Sequence, residues 1–218
     1  MDAQKMLELV KKYRLIAILR GIGRDQVQET AEALCRGGIK MIEVTFDQKD
    51  PDRCRKTGEA IRLLKDTLGS GVFVGAGTVM SEPEVEAAYQ SGAEFALSPN
   101  VNEAVIRAAV QKGMAMIPGA MTPTEAAFAY ERGAALIKLF PAGNLGIDYC
   151  KSIMSPLNHI PFIATGAVGL ENLQTYLKAG FSGAGIGSAL TNRDMIRKKD
   201  YEGLQKLAQA YTEAARME

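Results

Sequence analysis

Short runs of apolar residues alternate along this chain with longer stretches in which apolar residues recur at helical spacing. The apolar runs predict eight strands, at 15–19, 41–46, 72–78, 95–98, 114–118, 135–140, 161–165 and 182–188. Amphipathic patterns separate them, and several end in a glycine shortly before the next run, as at 24–38 and 102–113. Eight strand–helix units predict a (β/α)8 TIM barrel with an additional N-terminal helix. A doubly wound open sheet is the alternative.

The composition narrows the class of protein. Residues 1–218 are 47% hydrophobic and 23% charged with no break in composition, which predicts one soluble globular domain. The net charge of +1 argues against nucleic acid or an anionic membrane as a partner, so any anionic ligand needs a local site. No stretch approaches the ~20 apolar residues of a membrane span. Residues 1–14 predict an amphipathic helix rather than a signal peptide.

Cysteine and histidine usage adds two expectations. Cys35, Cys54 and Cys150 are widely spaced and odd in number, which favours a reducing cytosol over a disulfide framework. The single histidine, His159, argues against a His-based metal site and against Ser-His or Cys-His catalysis.

Lys138 is the residue that most clearly suggests chemistry, because it interrupts the apolar run ALIKLF. Strand alternation puts Leu136, Lys138 and Phe140 on one face. Ile137 and Leu139 fall on the other face, which suits packing against helices, so Lys138 is predicted to point into the barrel. Burial lowers the pKa of an amine, and a neutral amine can attack a carbonyl carbon. A structural ion pair is the alternative.

Two further charged residues lie near predicted strand ends, where barrel enzymes carry their active sites. Glu43 shares a face with Met41 and Thr45, so its carboxylate is predicted to point inward. It could pair with Lys138 or shuttle protons. Arg20 ends the first strand and could hold an anionic group or serve as a rim residue paired with an acid.

Small and hydroxyl residues end three other predicted strands. The run VGAGTV places Thr78 after two glycines that leave room beside the backbone, a weak signal alone because strand glycines also mark bulges. The runs ATGAVG and AGIGSAL place small residues after the last two strands, where many barrels hold phosphate. Backbone N–H groups at helix starts there would bind an anion, and ordinary turns are the alternative.

With these residues placed, the chain resembles the 2-keto-3-deoxy-6-phosphogluconate aldolase and 4-hydroxy-2-oxoglutarate aldolase family. The resemblance runs in order from residue 15 to residue 190 through the segments LIAILRG, GIKMIEVTF, VGAGTV, ALSPN, IPGAMTPTEA, IKLFPA, ATGAVGLENL and GAGIGSAL. The set is specific as a whole, although no single segment is decisive.

The resemblance implies a class I aldolase that cleaves a 2-keto-4-hydroxy acid through a Schiff base and releases pyruvate. It implies Lys138 as the Schiff-base lysine and Glu43 as the general acid/base. Substrate-binding positions fall on Arg20, Thr78, Phe140 and Thr165, and phosphate-binding positions on Gly166, Ala167, Gly187 and Ser188. The family further implies a cytoplasmic homotrimer that needs no metal or other cofactor, and whose partner is its small 2-keto acid substrate.

Departures from the family pattern leave the substrate open. Asp47 stands where gluconate-type enzymes carry a substrate-contacting arginine, and Thr-Gly-Ala at 165–167 replaces the common Thr-Gly-Gly. The segment LIAILRG resembles the branch that acts on 2-keto-3-deoxy-6-phosphogalactonate. An anionic Asp47 would repel an anionic substrate unless it points away or pairs with a cation.

Two other functions remain as alternatives. A phosphosugar epimerase or isomerase barrel would share the phosphate loops, although the metal-dependent ones need more histidine than this chain has. A non-catalytic phosphate-ligand sensor would not need a lysine among apolar neighbours.

Overall fold

The computed structural model describes residues 1–216. Its helices are α1 Ala3–Tyr13, α2 Arg24–Arg36, α3 Arg53–Thr67, α4 Glu82–Gln90, α5 Glu103–Gln111, α6 Pro123–Glu131, α7 Ala142–Leu145, α8 Ile147–Met154, α9 Leu173–Lys178, α10 Arg193–Arg197 and α11 Tyr201–Ala214. Its strands are β1 Leu15–Leu19, β2 Met41–Thr45, β3 Phe73–Gly77, β4 Phe95–Leu97, β5 Ala115–Ile117, β6 Gly119–Ala120, β7 Ile137–Leu139, β8 Phe162–Thr165 and β9 Gly183–Ile186.

All strand pairs are parallel, and the strands form one sheet in the order β5-β4-β3-β2-β1-β9-β8-β7-β6. The strands at its two ends, β5 and β6, are consecutive in the chain and separated only by Pro118. Because β5 pairs with β4 and β6 pairs with β7, the two short strands share one position and bring the sheet back on itself. The predicted (β/α)8 barrel is confirmed, and the open sheet is wrong.

The strand predicted at 114–118 differs in detail from the structure, where it is divided at Pro118. Proline has no N–H for the ladder, so regular pairing stops there. The Pro118 carbonyl still accepts from the Lys138 N–H at 2.9 Å, which attaches this joint to β7.

The pleat of the strands separates two hydrophobic clusters. Outward side chains, such as Ala17, Ile42 and Ile137, pack under the surrounding helices. Inward side chains fill the N-terminal half of the barrel, and they include Ile16, Met41, Phe95, Leu97, Ile117, Leu136 and Ile163. Strand alternation produces this division because successive side chains point to opposite faces.

Helix α1 covers the N-terminal end of the barrel. Its Met6, Leu9 and Val10 belong to the same cluster as the inward strand residues. The Asp2 carboxylate caps the helix by accepting from the Lys5 N–H at 2.8 Å. With this end packed, a site inside the barrel opens at the carboxyl ends of the strands. Within residues 1–216, no helix has the length and apolarity needed to cross a membrane.

Candidate active site

Glu43 and Lys138 lie on opposite walls of the barrel. Three strands (β1, β9 and β8) separate β2, which carries Glu43, from β7, which carries Lys138. Glu43 is 0% exposed and Lys138 is 4% exposed. Leu136, two residues before Lys138, belongs to the inner cluster, while Ile137 and Leu139 belong to the outer one. Both charged side chains therefore start from strand positions that face the interior.

Burial shifts the pKa values of both groups toward their neutral forms. Desolvation raises the pKa of Glu43 above its ordinary value, and the charges of Lys138 and Arg20 only partly oppose this. Desolvation lowers the pKa of Lys138, against the attraction of Glu43 and with the help of Arg20. Glu43, Lys138 and Arg20 thus lie within electrostatic reach of one another. The result is an amine that is easier to deprotonate and a carboxyl group that is easier to protonate.

Several polar atoms in this interior lack protein partners. Both carboxylate oxygens of Glu43 and the hydroxyl of Thr165 are buried without a hydrogen bond to residues 1–216. Buried polar groups in folded proteins are normally satisfied, so such groups are expected where a polar ligand binds. Gly185 pairs with Thr165 in the sheet, and a Cβ at Gly185 would stand 2.8 Å from the Thr165 hydroxyl.

Gly77 makes room for the Glu43 carboxylate. A Cβ built on Gly77 would overlap the Glu43 side chain, so a larger residue at this end of β3 would force the carboxylate to move. The ring of Phe140 lies on the other side of the site, with its centre 4.9 Å from Lys138 Nζ. The glycines of β3 therefore do not leave open space: the Glu43 side chain takes the room beside Gly77, and the Phe95 ring takes the room beside Gly75. The aromatic neighbour of the lysine borders the same interior.

Arg20 and Thr78 meet at the rim of the barrel. Arg20 Nη2 lies 3.5 Å from Thr78 Oγ1, and Arg20 makes no ion pair with an acid of residues 1–216. The alternative of a rim arginine paired with a nearby acid therefore finds no support. Thr78 has a φ of +57°, a left-handed conformation that is uncommon for a threonine.

The small residues after β8 and β9 lie beside the same opening but do not start helices. Regular helix begins only at Leu173 after β8 and at Arg193 after β9. The expectation of donors at helix starts is therefore wrong, since each helix is preceded by a loop. The backbone N–H groups of Ala167, Gly187 and Ser188 nevertheless find no acceptor within residues 1–216, so they can donate to an anion.

Asp47 is an exposed residue in the loop that follows β2. Its Oδ1 accepts from the Lys49 N–H at 3.1 Å. It lines a cavity together with the outward-facing Leu19 and Val44. Of the two ways in which Asp47 could avoid repelling a substrate, the structure thus favours a carboxylate that points away from the site.

Among residues 1–216, no three His, Cys, Asp or Glu side chains gather in a way that could hold a metal ion.

Sequence reasoning did not identify Gln48 and Glu84, which lie just behind Thr78. Gln48 Nε2 donates to the Thr78 carbonyl at 3.0 Å and to Glu84 Oε1 at 2.9 Å. The S-x-x-E spacing of Ser81 and Glu84 could have identified Glu84 as part of a capping box at the start of α4. It could not have indicated that the carboxylate is completely buried and bound by two further side chains.

The barrel and its interior define a class of protein: a barrel enzyme in which a buried, readily deprotonated lysine faces a buried carboxyl group. The model of the KDPG and KHG aldolase family matches residues 6–207. The chain belongs to this family, and is therefore an aldolase, a type of lyase. This membership argues against the isomerase and the non-catalytic alternatives.

Individual relatives span almost the whole chain. It is 34% identical over 204 residues to the 2-dehydro-3-deoxy-6-phosphogalactonate aldolase of Escherichia coli strain K12, covering 93% of this chain and 97% of that enzyme. It is 31% identical to the KHG/KDPG aldolase of the same organism, covering 86% and 85% of the two chains. A crystal structure of KDPG aldolase from Legionella pneumophila, with pyruvate captured at low pH as a covalent carbinolamine intermediate, is 26% identical. It superimposes with a TM-score of 0.84 over 94% of this chain and 96% of that one.

Proposed function

We propose that this aldolase cleaves 2-keto-3-deoxy-6-phosphogalactonate to pyruvate and glyceraldehyde 3-phosphate, with Lys138 as the Schiff-base residue and Glu43 as the general acid/base. The observation that carries the assignment is the buried Lys138, whose burial lowers the pKa of its amine while a buried carboxyl group faces it across the barrel. A class I aldolase needs these two properties, a neutral amine as nucleophile and a proton carrier beside it.

The first half of the reaction forms the iminium. The neutral Lys138 amine attacks the 2-keto carbon and gives a carbinolamine. Glu43 in its acid form donates a proton to the carbinolamine hydroxyl, which leaves as water. Glu43 becomes a carboxylate at the moment when the positively charged iminium forms in the same low-dielectric interior, so the two charges stabilise each other.

The second half breaks the C3–C4 bond. The Glu43 carboxylate, directly or through a water, accepts the proton of the C4 hydroxyl, and the bonding electrons pass to the iminium as an enamine. The aldehyde leaves, Glu43 returns the proton to C3, and hydrolysis of the new iminium releases pyruvate. The raised pKa of Glu43 suits this alternation, because a carboxyl group that titrates closer to neutral pH can both give and take a proton.

The proposed substrate is consistent with two sets of binding groups, Arg20 with its neighbours and the loops after β8 and β9. Arg20 and Thr165 would hold the carboxylate and nearby oxygens of the keto acid, and Phe140 would pack against it. The free N–H groups of Ala167, Gly187 and Ser188, with the adjacent Gly166, would hold the 6-phosphate. The galactonate epimer is favoured by the higher identity and longer coverage of the phosphogalactonate enzyme.

Borohydride trapping tests the lysine. Reduction in the presence of pyruvate is expected to add one reduced pyruvate to the peptide that contains Lys138, as read by peptide mass spectrometry. Labelling of another lysine, or of none in active enzyme, would refute the assignment. A comparison of kcat/KM for the phosphogalactonate, phosphogluconate and hydroxyglutarate substrates then tests the preference, and a higher value for 4-hydroxy-2-oxoglutarate would remove the phosphate from the proposal.

The enzyme is further proposed to act as a cytoplasmic homotrimer. Large apolar side chains are exposed on neighbouring outer elements, namely Val110, Met121, Phe128 and Tyr149. Tyr149 donates a hydrogen bond from its hydroxyl to the Met121 carbonyl at 2.9 Å, which joins two of these positions, and Arg132 lies over the Phe128 ring. Exposed apolar area of this kind is typical of subunit interfaces. Sedimentation equilibrium tests the trimer, and Phe128→Glu is expected to weaken it.

A further inference from the structure

Two loops at the mouth of the barrel are joined by a buried carboxylate that takes no part in the chemistry above. Glu84, at the start of α4, is 0% exposed at its side chain. Its Oε1 accepts from Arg53 Nε at 2.6 Å and from Gln48 Nε2 at 2.9 Å. Its Oε2 accepts from the N–H groups of Met80 and Ser81 at 2.7 and 3.2 Å. Four donors therefore converge on one carboxylate.

This arrangement holds the segment that contacts the active site. Gln48 also donates to the Thr78 carbonyl at 3.0 Å, so it links Glu84 to the residue that Arg20 approaches. The preceding residue, Gly77, lies against the Glu43 carboxylate. A displacement of this short segment would therefore move both the Thr78 hydroxyl and the wall behind Glu43.

Thr78 needs such support because of its backbone conformation. A left-handed φ of +57° is unfavourable for a β-branched residue and persists only where the surroundings impose it. Hydrogen bonds on both sides impose it here. The Thr78 carbonyl is held by Gln48, while the Val79 N–H donates to the Leu97 carbonyl at 3.0 Å.

A second capping box, at the start of α6, lacks the additional side-chain donors that Glu84 has. Glu125, at the start of α6, also accepts from two backbone N–H groups, those of Met121 and Thr122, at 2.9 Å each. Its side chain receives no bond from an arginine or a glutamine of residues 1–216. The same capping motif therefore occurs with and without the connection to a neighbouring loop.

We propose that Gln48 and Glu84 are positioning residues that fix the orientation of Thr78 toward the substrate, and so set catalytic efficiency without touching the reacting atoms. This inference rests on the proposed function and on the substrate contact that the family resemblance implies for Thr78. Arg53, the first residue of α3, neutralises the carboxylate, so the buried charge is paired while it receives the Gln48 bond.

A double-mutant cycle tests the proposal. Gln48→Met keeps the length of the side chain and removes both of its donated bonds, and is expected to lower kcat/KM roughly ten- to a hundredfold, since a misplaced contact can cost as much. Thr78→Ala removes the hydroxyl. In the Thr78→Ala background, Gln48→Met is expected to cause a clearly smaller loss, because the hydroxyl that it orients is gone and only the effect on the wall behind Glu43 is left.

Multiplicative losses, with Gln48→Met costing the same factor in both backgrounds, would overturn the proposal, as would unchanged kcat/KM in Gln48→Met alone. If Thr78→Ala itself kept full activity, the proposed substrate contact would also fail, so the two failures are distinguishable. Glu84→Gln is expected to behave like Gln48→Met, because an amide cannot accept from four donors. Glu125→Gln is the matched control and is expected to leave kcat/KM nearly unchanged.

Discussion

The two halves of the barrel interior follow opposite rules. The N-terminal half, under α1, is filled by Ile16, Met41, Phe95 and Leu136 in apolar contact. The C-terminal half holds buried polar groups that lack protein partners, above all the Glu43 carboxylate. Leu136 and Lys138 show the contrast within one strand, because they are two residues apart on the same face and have opposite chemistry.

Along the barrel axis, the residues that stabilise the fold therefore lie at one end and the residues proposed for catalysis lie at the other. Burial of apolar side chains stabilises the fold, whereas burial of an incompletely paired charge destabilises it. The N-terminal half is therefore expected to provide most of the stabilising free energy of the barrel interior. The C-terminal half is expected to retain buried polar groups that destabilise the fold, because the reaction needs them.

The largest effect is expected where the contrast is sharpest, from Lys138→Met compared with Leu136→Ala. Lys138→Met should lower the rate of cleavage by several orders of magnitude, because the nucleophile is lost. The unfolding midpoint should stay equal or rise, because a buried amine is replaced by an apolar chain of similar length. Leu136→Ala should cost about 2–5 kcal/mol of unfolding free energy while the folded enzyme keeps most of its kcat. Denaturant unfolding and steady-state kinetics check both.

The pH dependence provides the control for this pair. Burial lowers the pKa of Lys138 in the folded chain below the ordinary value of 10.5, so at neutral pH the unfolded chain holds its proton more tightly. That cost of folding shrinks as the pH rises from the lowered folded-state pKa through 10.5, and it is gone above 10.5, where the amine is neutral in both states. The stability advantage of Lys138→Met over the wild type should therefore shrink with rising pH. An advantage that grew with pH would contradict the buried-amine account.

Glu43→Gln is expected to have the next largest effect. Loss of general acid/base catalysis typically costs 10²- to 10⁴-fold in kcat, and an amide of the same shape cannot carry a proton. Pyruvate should still bind and be trapped slowly at Lys138 by borohydride. Turnover near the wild-type rate would assign the proton transfers to another group.

The position of this pair in the barrel could be read from the sequence because strand alternation is a local property. Lys138 and Glu43 each interrupt an apolar run of known phase, and the structure places both inside. The division at Pro118 and the loops before α9 and α10 depend on how strands close and helices dock. The Gln48–Glu84 contact joins residues 36 positions apart in the chain, a tertiary contact that local periodicity does not carry.

A smaller effect on activity is expected from a substitution in the proposed anion-binding loops after β8 and β9. It tests whether the C-terminal half has one region for bond cleavage and a separate region for the phosphate. Ser188→Asp should lower kcat/KM for phosphorylated substrates by at least ten- to a hundredfold. It removes the Ser188 hydroxyl as a further donor, and a lost hydrogen bond to a charged group costs roughly 1.5–3 kcal/mol, while the new carboxylate also repels the phosphate. Proton exchange of the pyruvate methyl group should be nearly unaffected. Ser188→Asn is the control of equal size without charge. Equal losses in both reactions would assign these loops to the fold alone.

The smallest effect concerns stability within the same loops. Ala167 has a φ of +52°, and a left-handed backbone costs a non-glycine residue roughly 1–2 kcal/mol. Ala167→Gly removes this cost, while the added freedom of glycine in the unfolded chain takes back about 0.4–1 kcal/mol. The net gain should be about 1 kcal/mol, measured by denaturant unfolding. Lys199→Gly, at φ +57° between α10 and α11, is the matched control outside the loops. A gain in Lys199→Gly with a loss in Ala167→Gly would mean that the Ala167 methyl group makes a stabilising contact worth more than its backbone strain.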